Sequence, residues 1–433
     1  MTTPAQSCIQ IVNGHLVDPK NNIDAKQDVF ITGHKISGIG KAPENFKTDT
    51  IIDAADCIVS PGFVELCGRL REPGQEHKAT IASETCAAVA GGITTICVPP
   101  DTDPVIDTPA VAELIAHRAR AAGYANVVTL GALTHRLRGE LLAELSTMKK
   151  QGHCIGVSNA MQPVKNILIM RRAMEYAASC GLTVFIHAED AELAGDGCAH
   201  EGAVSTRLGL DAIPESAETS AVSRMLMLIE QTGVRAHFYH ISTAAALNMI
   251  AQAQSKGLPV SVDVAPHYFH LTDMDIGYFD SNCHVRPPLR SQRDKDGIRA
   301  ALKNNTVDAI SSDHQPHDAD AKLAPFGATE PGISGFDTLL ALSLRLVEDN
   351  ILDMNALINK LSLSPATILG INKGHLSIGA DADVTIFNPN TAVTIDVNKF
   401  KSQGHNSPFN GWQVSGKVMH TLVAGKAVYE AST

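Results

Sequence analysis

Residues 61–370 alternate between short apolar runs and helical stretches, and this pattern constrains the fold more than any other feature of the chain. Strands are predicted at 94–98, 127–130, 183–186, 236–239, 259–262 and 309–311. Helices are predicted at 109–121, 168–179, 217–231, 243–255 and 336–347. Repeated β-then-α units predict a parallel sheet covered by helices. At this length, the pattern favours an α/β fold of the closed (β/α)8 or TIM barrel type.

The two ends of the chain have a different sequence pattern. Short β-branched runs near the amino terminus are separated by turn residues such as Asn13-Gly14. Similar runs return in the last 63 residues, where the first predicted strand ends at Pro389. We therefore predict a small β-sandwich domain built from both termini. The expected divisions are 1–60 for the first part of the sandwich, 61–370 for the barrel and 371–433 for the second part of the sandwich.

Charge and composition exclude several classes of partner. The 433 residues include 35 Lys and Arg against 46 Asp and Glu, a net charge of −11, which is unsuited to binding nucleic acid phosphates. No apolar run approaches about 18 residues and the amino terminus lacks a signal-peptide pattern, so we expect no membrane association. The nine cysteines have no paired spacing and are typical of reduced thiols, which favours a cytoplasmic location.

Polar residues of the metal-ligand type follow several predicted strands. His187, His240, His267 and Asp313 each come at or shortly after the end of one. In a barrel, these strand ends form the face where chemistry takes place. Two neutral imidazoles and a carboxylate there could bind a divalent metal and position a hydrolytic water. A single histidine is more often structural, but the coincidence at several strand ends favours a site of the metal-binding type.

Segments spread over nearly the whole chain match those of one family. They include Pro61-Gly62-Phe63-Val64-Glu65-Leu66, Ala90-Gly91-Gly92-Ile93-Thr94-Thr95, Pro287-Pro288-Leu289-Arg290, Ser312-Asp313-His314-Gln315-Pro316-His317 and Ser407-Pro408-Phe409. On these segments, the chain resembles the amidohydrolase superfamily, and in particular the bacterial dihydroorotases. The resemblance implies the same barrel and terminal sandwich that the strand and helix pattern predicts.

The first zinc-binding motif of that family is altered here. Family members begin with Asp-x-His-x-His-x-Arg, whose two histidines bind the more buried zinc, but the matching stretch has Cys67 and Arg69 in their places. Cysteine can ligate zinc as a thiolate. A guanidinium has no lone pair to donate and stays cationic, so Arg69 would repel a metal. We expect Arg69 to pair with Asp313, so that the guanidinium charge replaces the positive charge of the missing metal.

Other positions of the family pattern are also substituted. The family's Ser-Asp-Asp-Gly segment supplies the ligand that bridges two metals, and Asn159 and Ala160 replace both of its carboxylates. Asp101 replaces the amide of a Met-Pro-Asn-Thr segment that helps to hold the substrate carboxylate. Arg286 replaces the first residue of the family's Asn-Pro-Pro-Leu-Arg segment. We therefore predict that the family's zinc is absent and that no other cofactor is bound.

Five positions of the family site are retained: Arg71, His187, His240, Asp313 and His317. In an active relative, the resemblance implies that His187 and His240 would bind the second zinc. Asp313 would be a ligand and the general base. Arg71 and His317 would help to hold the substrate. Without the first metal, we interpret this set as the remnant of an inherited site with no catalytic role.

These substitutions predict a catalytically inactive dihydroorotase homologue, a pseudoenzyme. The resemblance implies a role as a structural subunit, because some bacteria pair such degenerate chains with the catalytic chain of aspartate carbamoyltransferase in pyrimidine biosynthesis. A homodimer of this chain within a larger hetero-oligomer is expected. The alternative is a mononuclear metal-dependent cyclic amidohydrolase, of the dihydroorotase or hydantoinase type, with one metal held by Cys67, His187, His240 and Asp313.

Overall fold

The computed structural model describes residues 7–431. Its strands in that range are β1 (Cys8–Val12), β2 (His15–Asp18), β3 (Ile23–Lys26), β4 (Val29–Thr32), β5 (Lys35–Ile39), β6 (Thr50–Asp53), β7 (Ile58–Pro61), β8 (Phe63–Glu65), β9 (Ile93–Val98), β10 (Asn126–Ala132), β11 (Gly156–Ser158), β12 (Thr183–Ile186), β13 (Ala199–His200), β14 (Ala212–Ile213), β15 (Ala236–Phe238), β16 (Val260–Val264), β17 (Ala309–Ile310), β18 (Val384–Thr394), β19 (Gln413–Val423) and β20 (Lys426–Glu430). Its α-helices are α1 (Ile81–Ala90), α2 (Pro109–Ala122), α3 (Leu145–Lys150), α4 (Ile167–Cys180), α5 (Ala191–Ala194), α6 (Ala203–Leu208), α7 (Glu215–Thr232), α8 (Ala244–Ser255), α9 (Pro266–His270), α10 (Gln292–Lys303), α11 (Leu339–Glu348), α12 (Met354–Ile358) and α13 (Ser364–Leu369).

Eight parallel strands form the barrel, in the order β8, β9, β10, β11, β12, β15, β16 and β17. Beyond the first and last strands, Gly68 and His314 form a parallel bridge, and the Arg69 amide donates to the His314 carbonyl at 3.0 Å. All six residues of β9 are buried because a parallel strand in such a barrel is covered on both faces. The predicted (β/α)8 fold is confirmed.

The surrounding helices begin and end at ordinary capping residues. The Thr80 hydroxyl accepts from the Ser83 amide at 3.1 Å and caps α1, while α7 ends at Gly233 with a φ of 66°. The helix predicted at 336–347 differs at its start, since Phe336–Thr338 forms a 3-10 turn before α11. Among residues 7–431, no helix combines the length and the apolarity needed to cross a bilayer.

The remaining large sheets form the sandwich. One has the strand order β5, β4, β1, β6, and the other has the order β20, β19, β18, β7, β2, β3. The second sheet therefore joins strands from both ends of the chain. A shared apolar core that includes Leu16, Ile31, Val59, Val384 and Leu422 packs between the sheets. The predicted sandwich of both termini is confirmed, while the divisions at residues 60 and 370 stay predictions.

The strand predicted to end at Pro389 is longer than expected. Strand β18 continues to Thr394, and its pairing with β19 shifts register between Asn388 and Ala392 before it resumes. Proline cannot donate to the sheet, so a central strand tolerates it at such an irregularity. The prediction was wrong because it treated Pro389 as an end and not as a bulge.

Candidate functional site at the carboxyl ends of the barrel strands

Residues from three strand ends meet around one buried centre. Cys67 follows β8, His240 follows β15 and Asp313 follows β17. The sulfur, one ring nitrogen and one carboxylate oxygen of these residues all lie within 4.8 Å of one another. His240 and Asp313 have φ angles of 59° and 48°, in the left-handed region that residues other than glycine rarely adopt. Such backbone strain is typical of functional sites.

Glu65, at the end of β8, holds two of these segments together. Its fully buried carboxylate accepts from the Cys67 amide at 3.0 Å and from the Ser312 amide at 2.9 Å. The segment that carries Cys67 is therefore tied to the segment that carries Asp313. A buried carboxylate with several amide donors is stable in this position because its charge is hydrogen-bonded.

The Arg69 guanidinium lies against the same centre. Its Nη1 is 3.9 Å from the Cys67 sulfur and 3.5 Å from Asp313 Oδ1, so the expected contact with Asp313 is present. A closer partner is Asp101, whose Oδ2 accepts from Arg69 Nε at 2.9 Å. Burial lowers the pKa of Arg69, but Asp101 and its other neighbours outweigh burial and raise the pKa above its ordinary value. Arg69 is thus a fixed buried cation.

Asp101 has a different role from the one that its position in the family suggested. The sequence indicated an acid that would face a substrate carboxylate. In the structure, its side chain is mostly buried and forms an ion pair with Arg69. The two substitutions compensate each other, because an unpaired buried guanidinium or carboxylate would be costly.

His240 lies between two carboxylates. Its Nδ1 is 3.2 Å from Asp263 Oδ1 and its Nε2 is 3.3 Å from Asp313 Oδ1, although neither contact has hydrogen-bond geometry. The His240 amide donates to Asp263 Oδ1 at 2.6 Å. Burial lowers the pKa of His240, but Asp313 and Asp263 outweigh it and raise that pKa well above its ordinary value. A protonated His240 therefore adds a second positive charge to the centre.

His187 does not join the group of close ligand atoms. Among residues 7–431 its Nε2 has no hydrogen-bond partner, and it lies 4.0 Å from Glu189 Oε1. Burial lowers the pKa of His187 to about 4, so the ring is neutral. Glu189 is held by Arg286, whose Nη2 and Nε donate to Oε1 at 2.6 and 2.9 Å. The substituted Arg286 thus engages an acid that would otherwise face His187.

Asn159 and Ala160 supply no carboxylate to the centre. Asn159 Oδ1 accepts from the Thr134 hydroxyl at 2.6 Å, and its Nδ2 donates to the carbonyls of Leu137 and Gln162. The Ala160 amide donates to the Ser158 hydroxyl at 2.9 Å. These residues hold their own loop in place. The bridging position of the family pattern therefore has no ligand here.

Arg71, which is partly buried, contacts the buried His317. Arg71 Nη2 lies 3.0 Å from His317 Nε2, and Arg71 Nε donates to the Pro316 carbonyl at 2.9 Å. A guanidinium can only donate, so His317 Nε2 accepts, and its 3.1 Å approach to the Pro331 carbonyl is a contact without a hydrogen bond. Burial, followed by the Arg71 charge, lowers the pKa of His317 to about 2.

The space beside the two arginines is small. The cavity lined by Arg69, Arg71 and Asp101 has a volume of about 10 Å³, room for about one water molecule. A substrate carboxylate that approached Arg71 from this side would have to displace the Arg69–Asp101 pair. The gap between the two arginines and Asp101 therefore has no room for a substrate carboxylate.

The donor set does not fit the family's zinc. Cys67, His240 and Asp313 could offer three ligand atoms, but Arg69 Nη1 contacts two of them. Burial raises the pKa of the Cys67 thiol even though Arg69 lowers it, so zinc would have to displace a proton from the sulfur. The fixed Arg69 cation opposes a divalent ion at the same place. The residues present suit a charge cluster and not a metal centre.

Sequence reasoning missed the pairs that Asp263 forms with His240 and that Glu189 forms with Arg286. Asp263 carried a detectable signal, because it is an acid within the apolar run of β16 and a buried acid needs a partner. Glu189 had no such signal. It lies 97 residues from Arg286, so only the folded barrel brings the two together.

Buried neutral histidines predict a stability that falls in mild acid. Burial lowers the pKa of both His270 and His284 to about 4. Between pH 6.5 and 4 the unfolded chain binds protons that the folded chain does not. As the pH is lowered through this range, the free energy of unfolding should therefore fall by up to about 1.4 kcal/mol per pH unit for each histidine. Urea unfolding at pH 7 and pH 5 measures this.

The variants His270→Gln and His284→Gln should each make the pH dependence shallower. The matched control is His117→Gln, since His117 is exposed. If the control flattens the pH dependence as much as the two buried variants, the assignment is wrong.

A parallel (β/α)8 barrel with histidine and aspartate at its strand ends is of the amidohydrolase type. A family model described as dihydro-orotase-like matches residues 56–246, and one described as amidohydrolase family matches residues 203–429. The chain is 48% identical over 417 residues to a dihydroorotase-like protein of Pseudomonas putida, covering 96% of this chain and 98% of that protein. It is 42% identical over 420 residues to a dihydroorotase of Geobacter metallireducens, covering 97% and 99%. The chain belongs to the dihydroorotase-like family.

Solved structures agree on the fold. The L-hydantoinase (dihydropyrimidinase) from Arthrobacter aurescens superimposes with a TM-score of 0.86 at 24% identity, covering 98% of this chain and 96% of that one. The dihydropyrimidinase from Brevibacillus agri superimposes with a TM-score of 0.82 at 22% identity, covering 98% and 95%. At these identities the likeness establishes the architecture alone.

Proposed function

We propose that this chain is a catalytically inactive dihydroorotase homologue that serves as a structural subunit of aspartate carbamoyltransferase in pyrimidine biosynthesis. One observation carries the loss of activity: the Arg69 guanidinium contacts the Cys67 sulfur and the Asp313 carboxylate, where a metal would have to bind. The small size of the cavity beside Arg71 and the lack of a carboxylate at Asn159 and Ala160 support the loss of activity.

The partner follows from the family resemblance. A barrel that has lost its chemistry but keeps a well-packed core is suited to a role in assembly. The relative from Pseudomonas putida carries the name dihydroorotase-like protein, whereas that from Geobacter metallireducens carries the name dihydroorotase. This difference in naming fits a branch of the family that departs from the enzyme. A homodimer of this chain would bind carbamoyltransferase catalytic chains in a cytoplasmic complex.

A mononuclear cyclic amidohydrolase is the second candidate. The closeness of the Cys67, His240 and Asp313 ligand atoms favours it, and His187 lies outside that group. It requires Arg69 to withdraw from two of the three ligands. Elemental mass spectrometry of the protein purified without chelator separates the candidates. The structural role predicts near zero zinc, and about one zinc per chain with turnover of a cyclic amide would establish the hydrolase.

The structural role predicts that the carbamoyltransferase depends on this chain. The catalytic chain of the same organism is purified alone and with an equimolar amount of this chain, and carbamoyl aspartate formation is measured. We expect activity to rise at least about tenfold in the mixture, because subunits of an obligate assembly stabilise one another by mass action. The active dihydroorotase of another species serves as the control chain. Equal activity with and without this chain would refute the proposal.

A further inference from the structure

Two loops beside the barrel mouth expose an unusual amount of apolar surface. Four of the twelve large apolar side chains that are exposed in the described residues lie on loop 272–284 or loop 318–330. Tyr278 is fully exposed and Leu323 is 78% exposed. We call this set the loop patch, and its members are Met274, Tyr278, Phe279 and Leu323.

The two loops are fixed to each other. Lys322 Nζ donates to the Ser281 carbonyl at 3.1 Å and to the Glu330 carbonyl at 2.6 Å. His284 Nδ1 lies 2.8 Å from the Thr329 hydroxyl. Two of these contacts, Lys322 with Ser281 and His284 with Thr329, join one loop to the other beside the patch, so the apolar side chains are presented on a supported surface. A preorganised surface loses less entropy when it binds.

The backbone of the patch is strained. Phe279 has a φ of 67°, a conformation that is rare for a bulky residue. Strain of this kind is retained where a particular presentation of side chains is needed. Here it accompanies Tyr278, whose side chain contacts solvent on all sides. Exposed aromatic residues on rigid loops are typical centres of protein interfaces.

Charge identifies the kind of partner. The two loops contain six acids and one base, Lys322, which is used in the bonds between the loops. Of the acids, Asp275, Asp280, Asp320 and Glu330 are exposed. A second copy of this chain would place the same acids opposite each other in a two-fold contact, which like charges disfavour. The complementary surface is an apolar hollow bordered by Lys and Arg.

We propose that the loop patch docks a partner protein with an apolar, basic-rimmed surface. This inference rests on the proposed function, in which that partner is the carbamoyltransferase catalytic chain. Tyr278 and Leu323 would fill the apolar hollow, and the exposed aspartates would face the basic rim. The barrel mouth, which no longer admits a substrate from the Arg71 side, would then serve as the binding face.

The test uses the full chain and the purified carbamoyltransferase chain in isothermal titration calorimetry. Tyr278→Ser combined with Leu323→Ser should weaken binding about 30-fold or more. Asp320→Lys should weaken it roughly tenfold at low salt, with less effect at high salt. The matched control combines Met227→Ser with Ile378→Ser, which are 61% and 71% exposed and lie outside the loops. All variants should keep the wild-type melting temperature, because the side chains are exposed.

The outcomes are distinct. Weakened binding by the loop variants with an unchanged control supports the patch. Tight binding by wild type and loop variants alike overturns the patch and leaves the structural role standing. No binding by the wild-type chain overturns both. If the loop variants lose a homodimer in analytical ultracentrifugation but keep carbamoyltransferase binding, the patch binds a second copy and the assignment of the partner is refuted.

Discussion

Replacing Arg69 with methionine is expected to lower the free energy of unfolding by about 3–5 kcal/mol, because it leaves Asp101 without its cation and Asp313 with His240 alone. Methionine keeps much of the apolar stem, so the loss is mainly that of charge. Asp313 has a side-chain exposure of 2% and Asp101 one of 27%, so water cannot fully replace the guanidinium. Urea unfolding, followed by circular dichroism at pH 7, measures the change.

The matched control is Arg293→Met. Arg293 also pairs with acids, but its side chain is 66% exposed, so its removal should cost no more than about 1 kcal/mol. The double variant Arg69→Met with Asp101→Asn should recover part of the lost stability, because the unpaired charge of Asp101 is removed together with that of Arg69. If Arg69→Met costs no more than Arg293→Met, the buried ion pair does not stabilise the site.

Replacing Arg69 with alanine is expected to change the protein from one that binds no zinc to one that binds about one zinc per chain. The change removes the guanidinium from Cys67 and Asp313 and leaves three ligand types within 4.8 Å of one another. Zinc would displace the thiol proton and the extra proton of His240 as it binds, so affinity should rise with pH. Elemental mass spectrometry after dialysis against zinc and buffer gives the stoichiometry.

A second readout is stability. Added zinc should raise the melting temperature of the Arg69→Ala variant and leave that of the wild type unchanged, because a ligand stabilises only the state that binds it. The matched control adds Asp313→Asn to Arg69→Ala and should lose the metal. Zinc bound by the wild-type chain at this site, or absent from Arg69→Ala, would contradict the account of Arg69 as the barrier to the metal.

Much of the fold was predictable because it depends on local pattern. The helix predicted at 109–121 is α2 (Pro109–Ala122), and the strand predicted at 183–186 is β12 (Thr183–Ile186). Apolar periodicity and capping residues lie close together in the chain, so they can be read directly. Pro389 was misread because a bulge is a property of two paired strands, and one strand alone does not reveal it.

The sequence by itself determined that this chain folds as a barrel with a terminal sandwich and that position 69 cannot hold a metal. Both conclusions depend on pattern or on the chemistry of one side chain. Only the tertiary structure decided how the resulting charges are balanced. Arg69 binds Asp101, 32 residues away in the chain, more closely than Asp313. Arg286 binds Glu189, which is 97 residues away. Electrostatic energy depends on distance and burial in three dimensions, and neither can be derived from the order of the residues alone.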